Sequence, residues 1–147
     1  MLATSHSLIS ALIVSRVSPP QLSLPIVLAS HYLLDIVPHW DTGSGLTSGR
    51  KSKKKAIIET LIDLVIGFSL VFLFFQKGKP FSPLLWCGVI LGILPDLLEF
   101  PALFFNKRPF PINVLEKFHN TLHQRAKLPW GLIYQIAVLI IIFTIFY

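Results

Sequence analysis

Four side chains that can bind a metal ion lie within one short segment, residues 31–41. They form the pattern HxxxDxxPHxD and are His31, Asp35, His39 and Asp41. His31 and Asp35 are four residues apart, so a helix would present them on one face. Imidazole nitrogen combined with carboxylate oxygen is the donor set of zinc, manganese and iron sites. The pattern predicts a metal site where a helix ends at Pro38; the alternative is a helix cap with an ion pair.

A second pair of histidines lies in the sequence FHNTLH. His119 and His123 are again four residues apart, a spacing that lets two imidazoles on one helix face bind the same cation. Glu116 precedes His119 by three residues and is a candidate for a further ligand or for orienting the ring. The alternative is a solvated helix face without a function.

Several acids occur where an apolar helix is not expected to carry them. Asp96 and Glu99 follow Pro95 in GILPDLLE, and Asp63 follows Glu59 by four residues. A charge at the centre of a membrane helix costs about 2.5 to 3.5 kcal/mol on insertion scales, so such residues tend to mark function. We predict that Glu99 or Asp63 acts as a catalytic base. The alternatives are a helix-end acid that reaches water and counter-charges for a nearby basic loop.

The composition limits which kind of protein can position these groups. Of 147 residues, 53% are hydrophobic and only 14% are charged, whereas about a quarter are charged in an ordinary soluble domain. This excludes an ordinary soluble globule, and twelve Phe with three Trp exclude a disordered chain. The one cysteine, Cys87, cannot form an internal disulfide or a thiolate metal cage.

Four apolar stretches approach the ~20 residues that a membrane-spanning helix needs. They are residues 21–37, 56–76, 83–105 and 129–147. Residues 2–14 form a shorter apolar helix that ends before Pro19 and Pro20 and lacks the features of a removable signal peptide. Residues 111–127 have apolar side chains at helical spacing, which predicts an amphipathic helix at the membrane surface. The predicted fold is all-α: a polytopic membrane protein with four to five transmembrane helices and one amphipathic surface helix, in a single helical domain, 1–147.

The basic residues predict the orientation, because Lys and Arg in short loops favour the cytoplasm. If five apolar helices cross, ten basic residues lie on one side and three on the other. This places the N-terminus and the large loops in the cytoplasm and predicts a multi-pass protein of the cell (inner) membrane. The basic run at residues 50–55 then faces anionic lipid. Nucleic-acid binding is not expected, because no aromatic interleaving or nucleic-acid module accompanies this run.

Under this topology every candidate residue lies towards the cytoplasmic ends of the helices. One mononuclear or polynuclear metal centre between the helix ends accounts for the whole set. The predicted ligands are His6, His31, Asp35, His39, Asp96, His119 and His123. The predicted cofactor is a divalent metal, with zinc as the first choice and manganese or iron as alternatives.

In combination, these motifs resemble those of the inner-membrane metal-dependent hydrolases of prokaryotes. In that family an early histidine precedes an LPDxDH-type acidic motif and an HRGxTHS-type histidine motif. The resemblance matches His6 to the first of these. It matches residues 94–96 with Glu99 to the second, and His119 with His123 to the third.

The chain departs from the family pattern at several positions of these motifs. Leu98 and Glu99 stand where the acidic motif has its second Asp and its His, and Asn120 and Thr121 stand where the histidine motif has Arg and Gly. The two histidines are four residues apart, against five in the family. A more distant likeness is to zinc-dependent phospholipases C and related nucleases, whose clustered metals also use HxxxD and spaced His ligands.

The resemblance implies hydrolysis, in which a metal lowers the pKa of water and polarises a phosphoryl or acyl oxygen while a carboxylate takes the proton. A site at the membrane boundary suits a lipid or lipid-like phosphoester, so membrane lipids are the expected partners. The basic residues 53–55 together with Arg108 would attract an anionic head group. Two alternatives stay open: a metal- or proton-handling membrane protein and a non-catalytic membrane adaptor.

Overall fold

The computed structural model of the protein describes residues 1–46, 48–105 and 107–146. Within these ranges it contains six α-helices and no β-strand, which confirms the all-α prediction. The helices are α1 (Ala3–Arg16), α2 (Pro20–Asp35), α3 (Lys53–Val71), α4 (Pro83–Phe105), α5 (Ile112–Leu122) and α6 (Trp130–Phe146). A π-helical turn, Phe72–Gln76, extends α3.

The local sequence explains where several of these helices begin and end. Pro20 occupies the first turn of α2, where its fixed φ suits a helix and its missing N–H is not needed. The Ser52 side chain accepts a hydrogen bond from the backbone N–H of Lys55 and caps α3. The predicted amphipathic helix is shorter than expected, because α5 ends at Leu122 and His123 is already extended.

Helix α1 is the central helix of the bundle. It packs against α2, α3, α4 and α6, and residues 5–12 are all buried. Glycines on α4 let the two helices approach closely, as small residues do in membrane helix pairs. A Cβ atom on Gly92 would collide with the Ser10 side chain, and one on Gly88 with Val14. Helix α1, which comes from the shortest apolar stretch, is therefore the helix that the others surround.

Two helices in the described part of the chain are long and apolar enough to cross a membrane. They are the continuous helix Lys53–Gln76 and α4, Pro83–Phe105. Both leave large apolar side chains exposed, such as Val65 and Ile90. Helices α1 and α2 have 14 and 16 residues. They would extend only about 21 and 24 Å at 1.5 Å per residue, against a hydrocarbon core of about 30 Å. Helix α6, at 17 residues, is apolar but also shorter.

The ends of five helices meet at one end of the bundle. The backbone N–H of Leu2, before α1, donates to Gln135 Oε1 of α6 over 2.9 Å. The N–H of Ala3 donates to Asp63 Oδ2 of α3 over 2.6 Å. The C-terminal end of α2 and the second half of α4 lie at the same place, because His31 bonds the carbonyl oxygen of Gly92. This end of the bundle holds the predicted site residues.

Candidate metal centre

Four predicted ligands from three helices converge on one point. They are His31 and Asp35 of α2, Asp96 of α4 and His119 of α5, and one ligand atom from each lies within 4.8 Å of all the others. His31 and Asp35 share a helix face, as their spacing predicts. The His31 Nε2 atom is 3.5 Å from Asp35 Oδ2 and 3.7 Å from Asp96 Oδ1. We refer to these four residues as the first group.

The two histidines of the first group are oriented by hydrogen bonds made on the far side of each ring. The Nδ1–H of His31 donates to the Gly92 carbonyl oxygen over 2.8 Å. The Nδ1–H of His119 donates to Glu99 Oε1 over 2.6 Å. Each ring therefore turns Nε2 towards the centre of the group. Histidines that bind metals show the same arrangement, because the outer hydrogen bond fixes the tautomer and the ring orientation.

Three residues form a second group that shares Asp35 with the first. They are Asp35, His39 and His123, whose ligand atoms also lie within 4.8 Å of one another. The Nε2 atoms of His39 and His123 are 2.6 Å apart. The Nδ1–H of His39 donates to the Val37 carbonyl oxygen over 2.7 Å, so Nε2 again faces inwards.

The histidine pair of α5 is thus divided between the two groups. Its spacing suggested that His119 and His123 bind one cation from one helix face. In the structure His119 belongs to the first group and His123 to the second. The helix ends between them, at Leu122, and the rings stack with their centroids 5.0 Å apart.

A short backbone pairing places the second group. His39 and Arg125 form an isolated parallel β-bridge. The N–H of His39 donates to the Gln124 carbonyl oxygen over 3.1 Å. The N–H of Ala126 donates to the His39 carbonyl oxygen over 2.7 Å. The segment that follows α5 is therefore attached to the segment that follows α2. This attachment brings His123 to His39 across 84 residues of sequence.

His6 lies beside the first group and completes the predicted set. Its ring stacks on His31 with centroids 4.1 Å apart. The Nε2 atom lies 3.3 Å from Asp35 Oδ1 and 4.0 Å from Asp96 Oδ2. Neither ring nitrogen of His6 has a hydrogen-bond partner among the described residues. The amino group of Met1 also contacts Asp35 Oδ1, so Asp35 faces donors from several elements.

The electrostatics of His119 and His39 differ. Burial lowers the pKa of a histidine, but at His119 the hydrogen bonds to Asp35 and Glu99 outweigh burial and raise the pKa to about 10. Its imidazolium therefore lies between two carboxylates, and binding of a metal at Nε2 would release the proton on that nitrogen. At His39, burial dominates and lowers the pKa to about 3, so this ring is neutral and Nε2 carries a lone pair.

The two predicted catalytic bases occupy different environments. Glu99 contacts His119 from outside the first group, as described above. Asp63 accepts hydrogen bonds at the start of α1 from the N–H groups of Ala3 and Thr4 and from the Thr4 hydroxyl, over 2.6 to 3.2 Å. Both line the same cavity. Asp63 nevertheless serves as a cap for α1, a role that its sequence position did not suggest.

The other acids near the site form ion pairs with basic residues. Glu59 accepts a hydrogen bond from Lys51 Nζ over 2.6 Å. It is therefore a counter-charge for the basic loop, which was one of the sequence-based alternatives. Glu116 lies 2.8 Å from Arg108 Nε and so does not orient His119; Glu99 does.

A cavity of about 110 Å³ opens beside both groups. Its polar lining includes Asp41, Asp63, Asp96, Glu99, His123 and Arg125. Its apolar lining comes mainly from α3 and α4 and includes Leu64, Leu97, Phe100, Leu103 and Phe104. The Asp96 side chain is 35% exposed, so the first group can be reached from this cavity.

Gln135 is a site-supporting residue that the sequence analysis missed. It is 2% exposed and lies in α6. Its Oε1 accepts from the N–H of Leu2, and its amide donates to the Trp40 carbonyl oxygen over 2.8 Å. It therefore joins the start of α1 to the turn that carries His39. The available signal was that Gln135 is the one amide side chain in residues 129–147.

Comparisons of the chain with models of protein families, with curated proteins and with solved structures found no match. The family membership expected from the motifs therefore stays a prediction.

Proposed function

We propose that this protein is a membrane-bound, metal-dependent hydrolase that acts on a lipid-like or other phosphoester substrate. The observation that carries the proposal is the first group: two histidines and two carboxylates meet at one largely buried point beside a cavity with apolar walls. Convergent polar groups at a mostly apolar pocket are the usual form of a small-molecule site.

The donor set fits a divalent cation of the zinc type. Zinc binds imidazole nitrogen and carboxylate oxygen at about 2.0 to 2.2 Å, which places neighbouring ligand atoms of a tetrahedral site roughly 3.4 Å apart. The distances from His31 Nε2 to the Asp35 and Asp96 oxygens, 3.5 and 3.7 Å, are close to this value. His31 Nε2 is also buried without a hydrogen-bond partner among the described residues. A buried polar atom of this kind is costly unless a ligand satisfies it.

When bound, the cation supplies Lewis-acid chemistry: it lowers the pKa of water and polarises a phosphoryl oxygen. The chain supplies the proton transfer. Glu99 lines the cavity and is the better placed of the two predicted bases, since Asp63 holds the start of α1. In the proposed reaction the water oxygen bonds to phosphorus and the bond from phosphorus to the leaving oxygen breaks. Because Glu99 Oε1 bonds His119 on the side of the ring away from the first group, the proton that the water loses reaches Glu99 through a second water in the cavity and passes from there to the leaving oxygen.

The surroundings of the cavity suit a substrate with an apolar tail and an anionic head. Aromatic and aliphatic side chains of α3 and α4 line the first cavity. A second cavity, of about 540 Å³, shares Glu99 and Arg125 with the first and is also lined by Lys53 and Arg108. Basic residues at a site mouth attract an anionic head group. A phospholipid or a related lipid phosphoester meets both requirements.

We further propose that the bundle crosses the inner membrane several times, with the site and the N-terminus on the cytoplasmic side. Helices α3 and α4 are the long spans, and the shorter apolar helices α1, α2 and α6 pack beside them. The excess of basic residues at the site end supports this orientation.

The first test is metal analysis together with a hydrolysis assay on the detergent-purified protein. We expect zinc, or manganese or iron, to co-purify and to be lost in a His31→Ala/His119→Ala variant. The metal-loaded protein should hydrolyse bis(p-nitrophenyl) phosphate or a phospholipid in mixed micelles, and Glu99→Gln should abolish turnover while most of the metal stays bound. A Thr121→Ala variant, which changes an exposed side chain of α5 outside both groups, is the matched control.

Each alternative function gives a different result in this test. Metal that binds without any hydrolysis would favour a metal-handling membrane protein. No metal after reconstitution, in a protein that is folded, would overturn the proposal and favour a non-catalytic adaptor or a proton-handling protein.

A further inference from the structure

We propose that the centre holds two cations, with the Asp35 carboxylate as the bridge between them. The first cation is the one bound by the first group, on which the proposed hydrolase function rests. The second would be bound by His39 and His123, with Asp41 as the fourth ligand.

The two oxygens of Asp35 face different partners. Oδ2 lies 2.6 Å from His119 Nε2 and 3.5 Å from His31 Nε2. Oδ1 lies 3.6 Å from His39 Nε2. The carboxylate thus presents one oxygen to each group, which is the geometry of a bridging ligand. Its side chain is fully buried, so water does not satisfy either oxygen.

Asp41 lies close to both histidines of the second group. Asp41 Oδ2 is 3.1 Å from His123 Nε2 and 4.0 Å from His39 Nε2. Neighbouring ligand atoms in a tetrahedral zinc site are roughly 3.4 Å apart. The 2.6 Å between the two histidine nitrogens would have to increase by under an ångström. A backbone acceptor already orients His39, as second-layer hydrogen bonds do in metal sites.

Hydrogen bonding within the protein leaves this group incompletely satisfied. If His123 Nε2 carries a proton, it can donate to His39 Nε2 or to Asp41 Oδ2, but not fully to both. Asp41 Oδ2 is buried and accepts no hydrogen bond from the described residues, and its ion pair with Arg125 Nε is long, at 3.6 Å. Asp41 Oδ1, in contrast, accepts one from the Ser44 hydroxyl over 3.1 Å. A cation would satisfy both histidine nitrogens and the remaining oxygen together.

A positively charged group already contacts the Asp35 oxygen that would bind the second cation. The Met1 amino group contacts Asp35 Oδ1, so a second cation would replace an ammonium group at that oxygen. Two cations sharing a carboxylate could also contact both the attacking and the leaving oxygen of a phosphoester.

Metal stoichiometry of the full chain in detergent tests the inference without an activity assay. Zinc or manganese titrated into the metal-free protein should bind at two equivalents per chain. His123→Ala should bind one, because it removes a ligand of the second group only. Asp41→Asn should weaken the second equivalent alone, and Asp35→Asn should weaken both. With manganese, the wild type should give an exchange-coupled electron paramagnetic resonance spectrum, and His123→Ala the six-line spectrum of an isolated ion.

The failures are distinguishable from one another. One equivalent that survives in His123→Ala and disappears in His31→Ala would overturn the second site and leave the proposed hydrolase standing. Two equivalents in both the wild type and His123→Ala would place the second ion elsewhere and also overturn it. No bound metal in a folded wild type would overturn the proposed function and the second site together. Tyr32→Phe, next to His31 but outside both groups, is the control and should bind as the wild type does.

Discussion

The buried histidines owe their orientation to acceptors outside the two groups. His31 and His39 bond backbone carbonyl oxygens, whereas His119 bonds a side chain, the Glu99 carboxylate. Such outer partners fix the ring and raise its basicity as a ligand. Of the acceptors that orient these three rings, Glu99 is the one that a substitution can remove, because the other two are backbone carbonyl oxygens.

Removing the Glu99 carboxylate should weaken metal binding even though Glu99 is not a ligand. We expect Glu99→Ala to lower the affinity for zinc by about 10- to 100-fold, the usual effect of losing an outer-layer partner. Glu99→Gln should lose less, since its amide oxygen can still accept from His119. Competition with a chromophoric chelator measures both affinities. An unchanged affinity in Glu99→Ala would show that the carboxylate does not orient His119.

Asp63 should behave differently, because its hydrogen bonds hold α1 and not a histidine. We expect Asp63→Asn to reduce the free energy of unfolding by about 1 to 2 kcal/mol, as loss of a charged cap does. Its metal stoichiometry should stay at the wild-type value. Thermal unfolding in detergent, read beside elemental analysis, separates the two effects. Lost turnover at unchanged stability would instead assign Asp63 to catalysis.

At the scale of the helices, α1 determines whether the site can assemble. It carries His6 and lies between the two helices that supply most of the first group. Its close approach to α4 depends on Gly92, whose carbonyl oxygen also orients His31. A single contact between α1 and α4 therefore affects packing and site geometry together.

Adding one methyl group at Gly92 should disturb both the packing of α1 against α4 and the geometry of the first group. We expect Gly92→Ala to destabilise the protein by about 1 to 3 kcal/mol, the usual cost of overpacking, and to lower its metal content. Ser10→Ala in the same chain should recover part of the loss, because it removes the Oγ atom that the new Cβ would meet. Thermal unfolding of the single and double variants provides the measurement. The control is Ile90→Ala on the exposed side of α4, and equal losses in Gly92→Ala and the double variant would contradict the proposed collision.

At the scale of the whole molecule, the buried acids and histidines among the described residues lie towards one end of the bundle. The first and second groups lie at this end. Deeper in the bundle, a core of apolar residues includes Leu12, Val71, Phe75 and Val89. Such a gradient suits a one-sided site at a membrane surface better than a pathway across the membrane, which would need polar groups throughout.

The proposed orientation can be tested by labelling single cysteines. In a Cys87→Ser background, Lys107→Cys should react with a membrane-impermeant maleimide only from the cytoplasmic side. Lys79→Cys should react only from the opposite side, because the two positions lie at opposite ends of α4. Intact cells and inverted membrane vesicles provide the two sides. The reverse pattern would invert the topology, and labelling of both positions from one side would exclude α4 as a span.

The sequence by itself determined the properties that depend on composition and local spacing. A chain with 53% hydrophobic residues and helical periodicity had to fold as apolar helices, and the structure is all-α. The spacing of His31 and Asp35 placed both on one helix face because the period of an α-helix is fixed. Clustering of acids and histidines at one set of helix ends also followed from the order of the segments.

Only the tertiary structure decided which partner each of these residues meets. Asp63 and Glu99 looked equivalent in sequence, yet one caps α1 and the other orients His119, because those contacts join residues 60 and 20 positions apart. The division of His119 and His123 between two groups depends on where α5 ends and on the backbone pairing of His39 with Arg125. Such contacts arise from packing between helices, which local periodicity does not encode. The geometry of the two groups is therefore a property of the assembled bundle, built from residue types that the sequence alone identifies.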